Sequence, residues 1–197
     1  NGDSLVRHLI TGAGIGDGGR AVDLGVNGLP WGEALLEPTR LYTSPLLRLI
    51  DGIGNSAGGG VHALSHVTGG GIAANLARVL PQGTWVDVDR STWSPSPVFR
   101  VLADLGNLDL TATEGTWNLG IGFLAVVSAD AVDAAIALLE AEGIATWQVG
   151  TVHVGGLPAG GGAFEQGAKG VDGGAVRLVG AYRTDSPTSG IAADGAK

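Results

Sequence analysis

Five one-sided helical stripes alternate along this chain with five runs rich in Val, Ile, Trp and Thr, and that alternation limits the fold more than any other feature. Stripes are predicted over residues 3–11, 44–53, 69–80, 96–105 and 129–142. The second begins Ser44-Pro45 and the fourth Ser96-Pro97, the order expected of an N-cap followed by Pro at the first helical position. Leu46, Leu49, Ile50 and Ile53 recur at helical spacing, as do Val98, Val101, Leu102 and Leu105. An apolar stripe this narrow suits a helix lying on a sheet. Strands are predicted at Val61–Thr68, Thr84–Asp89, Leu119–Ser128, Ile144–Val154 and Ala175–Tyr182. The run at 119–127 is apolar throughout, as in a central strand covered on both faces. The order is not a clean doubly wound repeat, so the expected class is α+β, a mixed sheet packed with helices.

Glycine divides the chain further. It accounts for 36 of 197 residues, with seven in residues 11–30 and nine in 155–174, two stretches expected to be loops. The pattern suggests a domain over 1–154, then a Gly-rich loop, a terminal strand at 175–182 and a frayed polar tail within 155–197. The chain has no Cys, which excludes disulfides, thiolate zinc sites and a cysteine nucleophile. Its net charge of -8 argues against a nucleic-acid surface. No apolar run approaches the ~20 residues that cross a bilayer, and the first residues do not read as a secretory signal. There is also no Met, and the chain starts at Asn1, so a processed chain, a fragment or an engineered sequence is expected.

The stretch His66-Val67-Thr68-Gly69-Gly70-Gly71 carries the most chemistry. A strand runs into three glycines and out into a helix. Glycine lets backbone N–H groups approach a ligand closely, and the helix start adds partial positive charge, which together suit a phosphate or other anion. Thr68 could cap the helix or donate its hydroxyl to the anion. Three glycines also permit a tight strand-to-helix turn without any ligand. Asn118-Leu119-Gly120-Ile121-Gly122 is expected to open the apolar strand, with Gly120 and Gly122 on one face, open either to a ligand or to a neighbouring helix. His62 and His66, roughly 13 Å apart on a strand, are too distant for one metal ion and are expected to be structural. Glu114, Asp87 and Asp89 are expected to be solvated charges. Gly14-Ile15-Gly16-Asp17-Gly18-Gly19 matches G-x-G-x-x-G, but a helix rather than a strand precedes it, so it is expected to be a surface loop. No metal site and no catalytic residue follow from the residues themselves.

Several motifs in order resemble a known family. Gly32-Glu33-Ala34-Leu35-Leu36-Glu37-Pro38-Thr39-Arg40-Leu41-Tyr42, His66-Val67-Thr68-Gly69-Gly70-Gly71 and Asn75-Leu76-Ala77-Arg78-Val79-Leu80-Pro81 are similar to the C-terminal half of the aminoimidazole ribonucleotide synthetases, the phosphoribosylformylglycinamidine cyclo-ligases. Trp93 with Pro97-Val98-Phe99, Asn118-x-Gly120-x-Gly122 and Trp147-x-Val149-Gly150 continue the match, and Asn1-Gly2-x-Ser4-Leu5-Val6-Arg7 resembles the entry into that domain. The chain departs from the family at Asp3, where an aromatic is usual, and at Glu114-Gly115-Thr116-Trp117, where the family commonly reads Glu-Arg-Thr-Phe.

The resemblance implies a cytoplasmic, homodimeric enzyme of de novo purine synthesis that uses ATP and Mg²⁺ to close the imidazole ring of formylglycinamidine ribonucleotide. ATP and metal would be held mainly by an N-terminal domain that this chain lacks, so the domain alone is expected to be inactive. Its own contribution would be a wall facing a phosphorylated ribonucleotide: Asn1, Thr68, Gly69, Gly70, Gly71, Asn118 and Gly120. Selenophosphate synthetases, thiamine-monophosphate kinases and hydrogenase-maturation proteins share the two-domain plan and are the nearer alternatives. A non-catalytic domain that binds a phosphorylated metabolite or a protein partner is the more distant one.

Overall fold

The computed structural model describes residues 2–14, 33, 35–56, 58–168 and 170–184. Residues 15–19 of the G-x-G-x-x-G match, Asn1 and the tail from 185 lie outside them. The elements run α1 (Asp3–Gly12), α2 (Thr43–Ile53), β1 (Asn55–Ser56), β2 (Gly59–His66), α3 (Gly71–Ala77), β3 (Thr84–Asp89), α4 (Pro97–Leu105), β4 (Phe123–Val127), α5 (Val132–Ala141), β5 (Val152–Val154), β6 (Glu165–Ala168) and β7 (Val171–Val179). Helices and strands alternate as the periodicity predicts, and the class is α+β.

Two sheets form. The first is antiparallel in the order β1-β2-β4, and the second is mixed in the order β5-β3-β7-β6. The mixed character comes from β3 and β7, which pair in parallel from Trp85↔Ala175 to Asp89↔Val179. The apolar stripes select what each helix covers. On α2, Leu46 and Leu49 pack with Val61 of β2 and with Ala135 and Leu139 of α5. On α3, Ile72, Leu76 and Ala77 pack with Val86, Val88 and Val176 of the mixed sheet and with Leu124 of β4. Leu9 of α1 meets Leu102 and Ala103 of α4 over Trp117 and Leu119.

Tertiary context shifts several boundaries. Tyr42, not Ser44, occupies the N-cap of α2, and Gly2 that of α1. Residues 119–122 are loop, and β4 starts at Phe123. Far from being central, β4 lies at one side of its sheet. Its residues line a cleft of about 1030 Å³ together with β3 and residues 144–152. Of the strand predicted at Ile144–Val154, only Val152–Val154 pairs in regular register, although Val149 also accepts the Asp89 N–H at 2.9 Å.

The second glycine-rich stretch is only partly a loop. Gly173 and Gly174 lie inside β7, where a Cβ at Gly173 would collide with the Ala77 carbonyl. Glycine there lets the C-terminal turn of α3 sit directly on the strand. The chain stays docked after β7, since the Arg183 N–H donates to the Trp93 carbonyl at 3.2 Å.

Candidate ligand-facing turn and its neighbours

β2 delivers the chain at Val67, whose N–H donates to Gly122 at 2.9 Å. Residues 68–71 then make a tight turn, closed by the Gly71 N–H donating to the Thr68 carbonyl at 3.1 Å. Gly70 (φ 103) and Gly71 (φ 68) occupy conformations that side chains resist. Gly70 takes the N-cap position of α3, so Thr68 does not cap it. Instead the Thr68 hydroxyl donates to Asn75 Oδ1 at 3.1 Å, while Asn75 Nδ2 donates to the carbonyls of Thr68 (3.0 Å) and Gly71 (2.7 Å). Ser65 Oγ donates to the Asn75 carbonyl at 2.7 Å. Asn75 is fully buried, and its bonds satisfy the amide where an unpartnered one would be costly. The inner side of the turn is thus committed to Asn75. On the outer side Gly69 is exposed, with open space where a Cβ would point.

Gly71 has a second reason to be glycine. A Cβ there would collide with the Glu114 carbonyl oxygen and approach that of Trp117. The turn therefore rests on the 110–117 segment. Trp117 is buried, with its ring 5.6 Å from that of Phe99. It also fills the space beside Gly2, and its Nε1 is buried with no acceptor among the described residues. Three segments distant in sequence, at Gly2, Gly71 and Thr116–Trp117, accordingly meet at one place, with Asn118 directly following.

The Asn118 segment is a turn rather than a strand opening. Asn118 Oδ1 accepts the Gly120 N–H at 3.1 Å, and its carbonyl accepts the Ile121 N–H at 3.0 Å. Leu119 (φ 50) and Gly120 (φ 96) are both left-handed, which breaks the alternation a strand requires. The Leu119 carbonyl is held by Trp93 Nε1 at 3.2 Å. Gly120 is exposed, while Gly122 lies against the Tyr42 hydroxyl.

The three carboxylates expected to be solvated are all engaged. Arg90 grips Glu114 bidentately, Nε to Oε1 at 2.6 Å and Nη2 to Oε2 at 2.8 Å. Tyr182 donates its hydroxyl to Glu114 Oε1 at 2.6 Å. Hydrogen bonding to Glu114 holds the Arg90 pKa above its usual value, and burial, reinforced by the Glu114 bond, pushes that of Tyr182 up. Asp87 is held by Arg177 through two bonds of 2.9 and 2.8 Å between neighbouring strands. Asp89 accepts the Ser91 N–H at 2.8 Å, and its bonds to Ser91 depress its pKa.

Among the described residues no group of three or more His, Asp or Glu converges as a metal site. His62 and His66 are exposed on β2, and His66 stacks on Phe123 at 5.6 Å. Asn75, Arg90 and Tyr182 are the residues that sequence reasoning missed. Only Asn75 left a signal there, as a polar side chain four residues after Gly71 on the apolar face of α3.

The family described as AIR synthase related protein, C-terminal domain, matches residues 1–159. A Streptomyces fradiae protein named "Putative phosphoribosylformylglycinamidine cyclo-ligase" is 44% identical over 155 residues, which cover 77% of this chain and 79% of that protein. A phosphoribosylformylglycinamidine cyclo-ligase of Methylobacillus flagellatus is 38% identical over 153 residues, 78% of this chain but 41% of its own length. The glycine turn, the Asn118 turn and the α3 helix all lie inside the matched residues, and the chain belongs to the AIR synthase related family as its C-terminal domain.

Proposed function

We propose that this chain is the substrate-side domain of an ATP-dependent cyclo-ligase that converts formylglycinamidine ribonucleotide to aminoimidazole ribonucleotide in purine synthesis. The observation that carries the activity is the identity shared with two relatives so named. More than half of the Methylobacillus protein lies outside the aligned region, which leaves room there for a nucleotide-binding domain. The metal and ATP are assigned to that companion domain, within a cytoplasmic homodimer, as the family membership suggests. ATP supplies the phosphoryl group that turns the formyl oxygen of the substrate into a leaving group.

This domain's part is to hold the ribonucleotide. The outer edge of the turn at Thr68, Gly69, Gly70 and Gly71 takes the substrate phosphate, with Asn118 and Gly120 alongside; Asn1, outside the described residues, is assigned to the same ligand. Support comes from the open face at Gly69, from the inward commitment of Thr68 to Asn75, and from the convergence of the flanking segments at Trp117. A backbone cradle pre-shaped in this way loses little freedom on binding.

Calorimetric titration with formylglycinamidine ribonucleotide tests the site, with Gly69→Leu as the comparison. Because a side chain at Gly69 meets open space, the variant should melt like the parent yet bind about tenfold or more weakly. Equal affinity would remove the turn as the phosphate site. Phosphate release from ATP, measured with the unaligned part of the Methylobacillus relative added, tests the activity. No substrate-dependent release would overturn it.

A further inference from the structure

The phosphate turn is not braced by its own segment alone. Gly71 abuts the Glu114 backbone carbonyl, so the place of Glu114 decides the place of the turn. The Glu114 carboxylate is in turn held from two directions. Arg90, at the end of β3, grips both oxygens, and Tyr182, three residues past β7, donates to Oε1. Arg90 itself is anchored by Nη1, which donates to the carbonyls of Leu178 (2.8 Å) and Gly180 (3.2 Å), and its guanidinium lies 5.8 Å from the Tyr182 ring centre.

Tyr182 reaches the other end of the same loop as well. Its ring meets Trp93 edge-on at 5.2 Å, and Trp93 holds the carbonyl of Leu119. The residues around Tyr182 are buttoned down by the Arg183 carbonyl, which accepts from Ser94 at 3.1 Å and from Arg100. The bonds to the Glu114 carboxylate are charge-assisted and the Arg90–Glu114 pair is mostly buried, so this part of the network is stiff and poorly screened.

We propose that Arg90 and Tyr182 are positioning residues for ligand recognition, acting through Glu114 on the Gly71 turn and, through Trp93, on the Asn118 turn. Tyr182 lies past residue 159, where the family match ends. The C-terminal strand and its exit are then a working support of the site rather than an appendage to it. This inference rests on the phosphate-site assignment above for its functional meaning, while the coupling itself does not.

The test uses the whole chain with two substitutions. Tyr182→Phe removes one hydroxyl at nearly constant volume, and Arg90→Lys keeps the charge but loses the bidentate grip. Amide hydrogen exchange reads residues 69–72 and 116–120 against α5, which packs in a separate cluster with α2 and β2, as an internal reference. In each variant the two turns should exchange about tenfold faster while the reference is unchanged, the size expected when one bond to a charged group is lost. Titration with formylglycinamidine ribonucleotide should weaken by about the same factor, whereas the matching nucleoside without phosphate should bind as it does to the parent.

Unchanged exchange at both turns in Tyr182→Phe overturns the coupling, whatever Arg90→Lys does to the fold. Faster exchange with unaltered ribonucleotide affinity overturns the role in recognition. If the parent chain binds no ribonucleotide, the phosphate assignment falls, and the exchange measurement still decides whether Arg90 and Tyr182 position the turns.

Discussion

Replacing Gly71 by Ala should be among the most damaging single-methyl changes this chain can suffer, and the size follows from two independent causes. Gly71 has φ 68, a region in which a side chain costs about 1–2 kcal/mol. The added Cβ would also be driven into the Glu114 carbonyl oxygen, a backbone atom that cannot rotate aside. Forcing the 110–117 segment back is overpacking, which costs about 1–3 kcal/mol. Together the two give about 2–5 kcal/mol, and at about 2–4 °C per kcal/mol for a chain of this length the melting temperature should fall by about 4–20 °C. Gly69→Ala is the matched control two residues away. Gly69 is outside the left-handed region and its Cβ direction is open, so that change should stay within about 0.5 kcal/mol of the parent. Urea unfolding followed by circular dichroism measures both, with a constant slope checking that the unfolding reaction is the same. If Gly71→Ala costs no more than Gly69→Ala, the turn does not rest on Glu114, and the support described for it collapses.

Trp93→Phe removes the donor that holds the buried turn at Leu119 and should lower the urea-derived stability by about 1–3 kcal/mol; a change within error would show that the bond contributes nothing. Alkaline pH should destabilise the fold through Tyr182. Its pKa is raised by burial and by Glu114, so above its ordinary value of 10.0 the unfolded chain releases the proton first and stability falls as pH rises, by at most about 1.4 kcal/mol per pH unit. In Tyr182→Phe that slope should be shallower than in the parent, and identical slopes would contradict the assignment. Arg177 pins the 155–164 loop by donating to the Gly160 carbonyl and by lying 4.4 Å over the Phe164 ring. Arg177→Met should therefore speed proteolytic cutting within that loop, and an unchanged cutting rate would show that the loop is held elsewhere.

Short-range pattern located much of this molecule. β3 runs over Thr84–Asp89 as its composition predicts, and α4 begins at Pro97 and ends before Gly106 because a Pro at the first helical position and a Gly past the last are local signals, although the Ser96 side chain makes no capping bond. The triple glycine was legible as a strand-to-helix turn for the same reason. Local pattern misled where a tertiary contact took over. Leu119–Gly122 reads as strand, but the Asx turn at Asn118 and the Trp93 bond from a distant segment hold Leu119 left-handed. Residues 144–151 are rich in strand formers, yet most of them find no regular ladder partner.

The class of fold, the family and the neighbourhood of the glycine turn were legible because each rests on residues a few positions apart. What the charges do was set by contacts between residues far apart in the chain. Asp87 and Arg177 are 90 residues apart, as are Arg90 and Gly180, and they meet because β3 and β7 pair in parallel. A parallel pair needs a long crossover, so its partners carry no local signature. Glu114 and Tyr182 followed the same rule: they read as a solvated acid and the end of a last strand until that pairing set one against the other beneath Gly71.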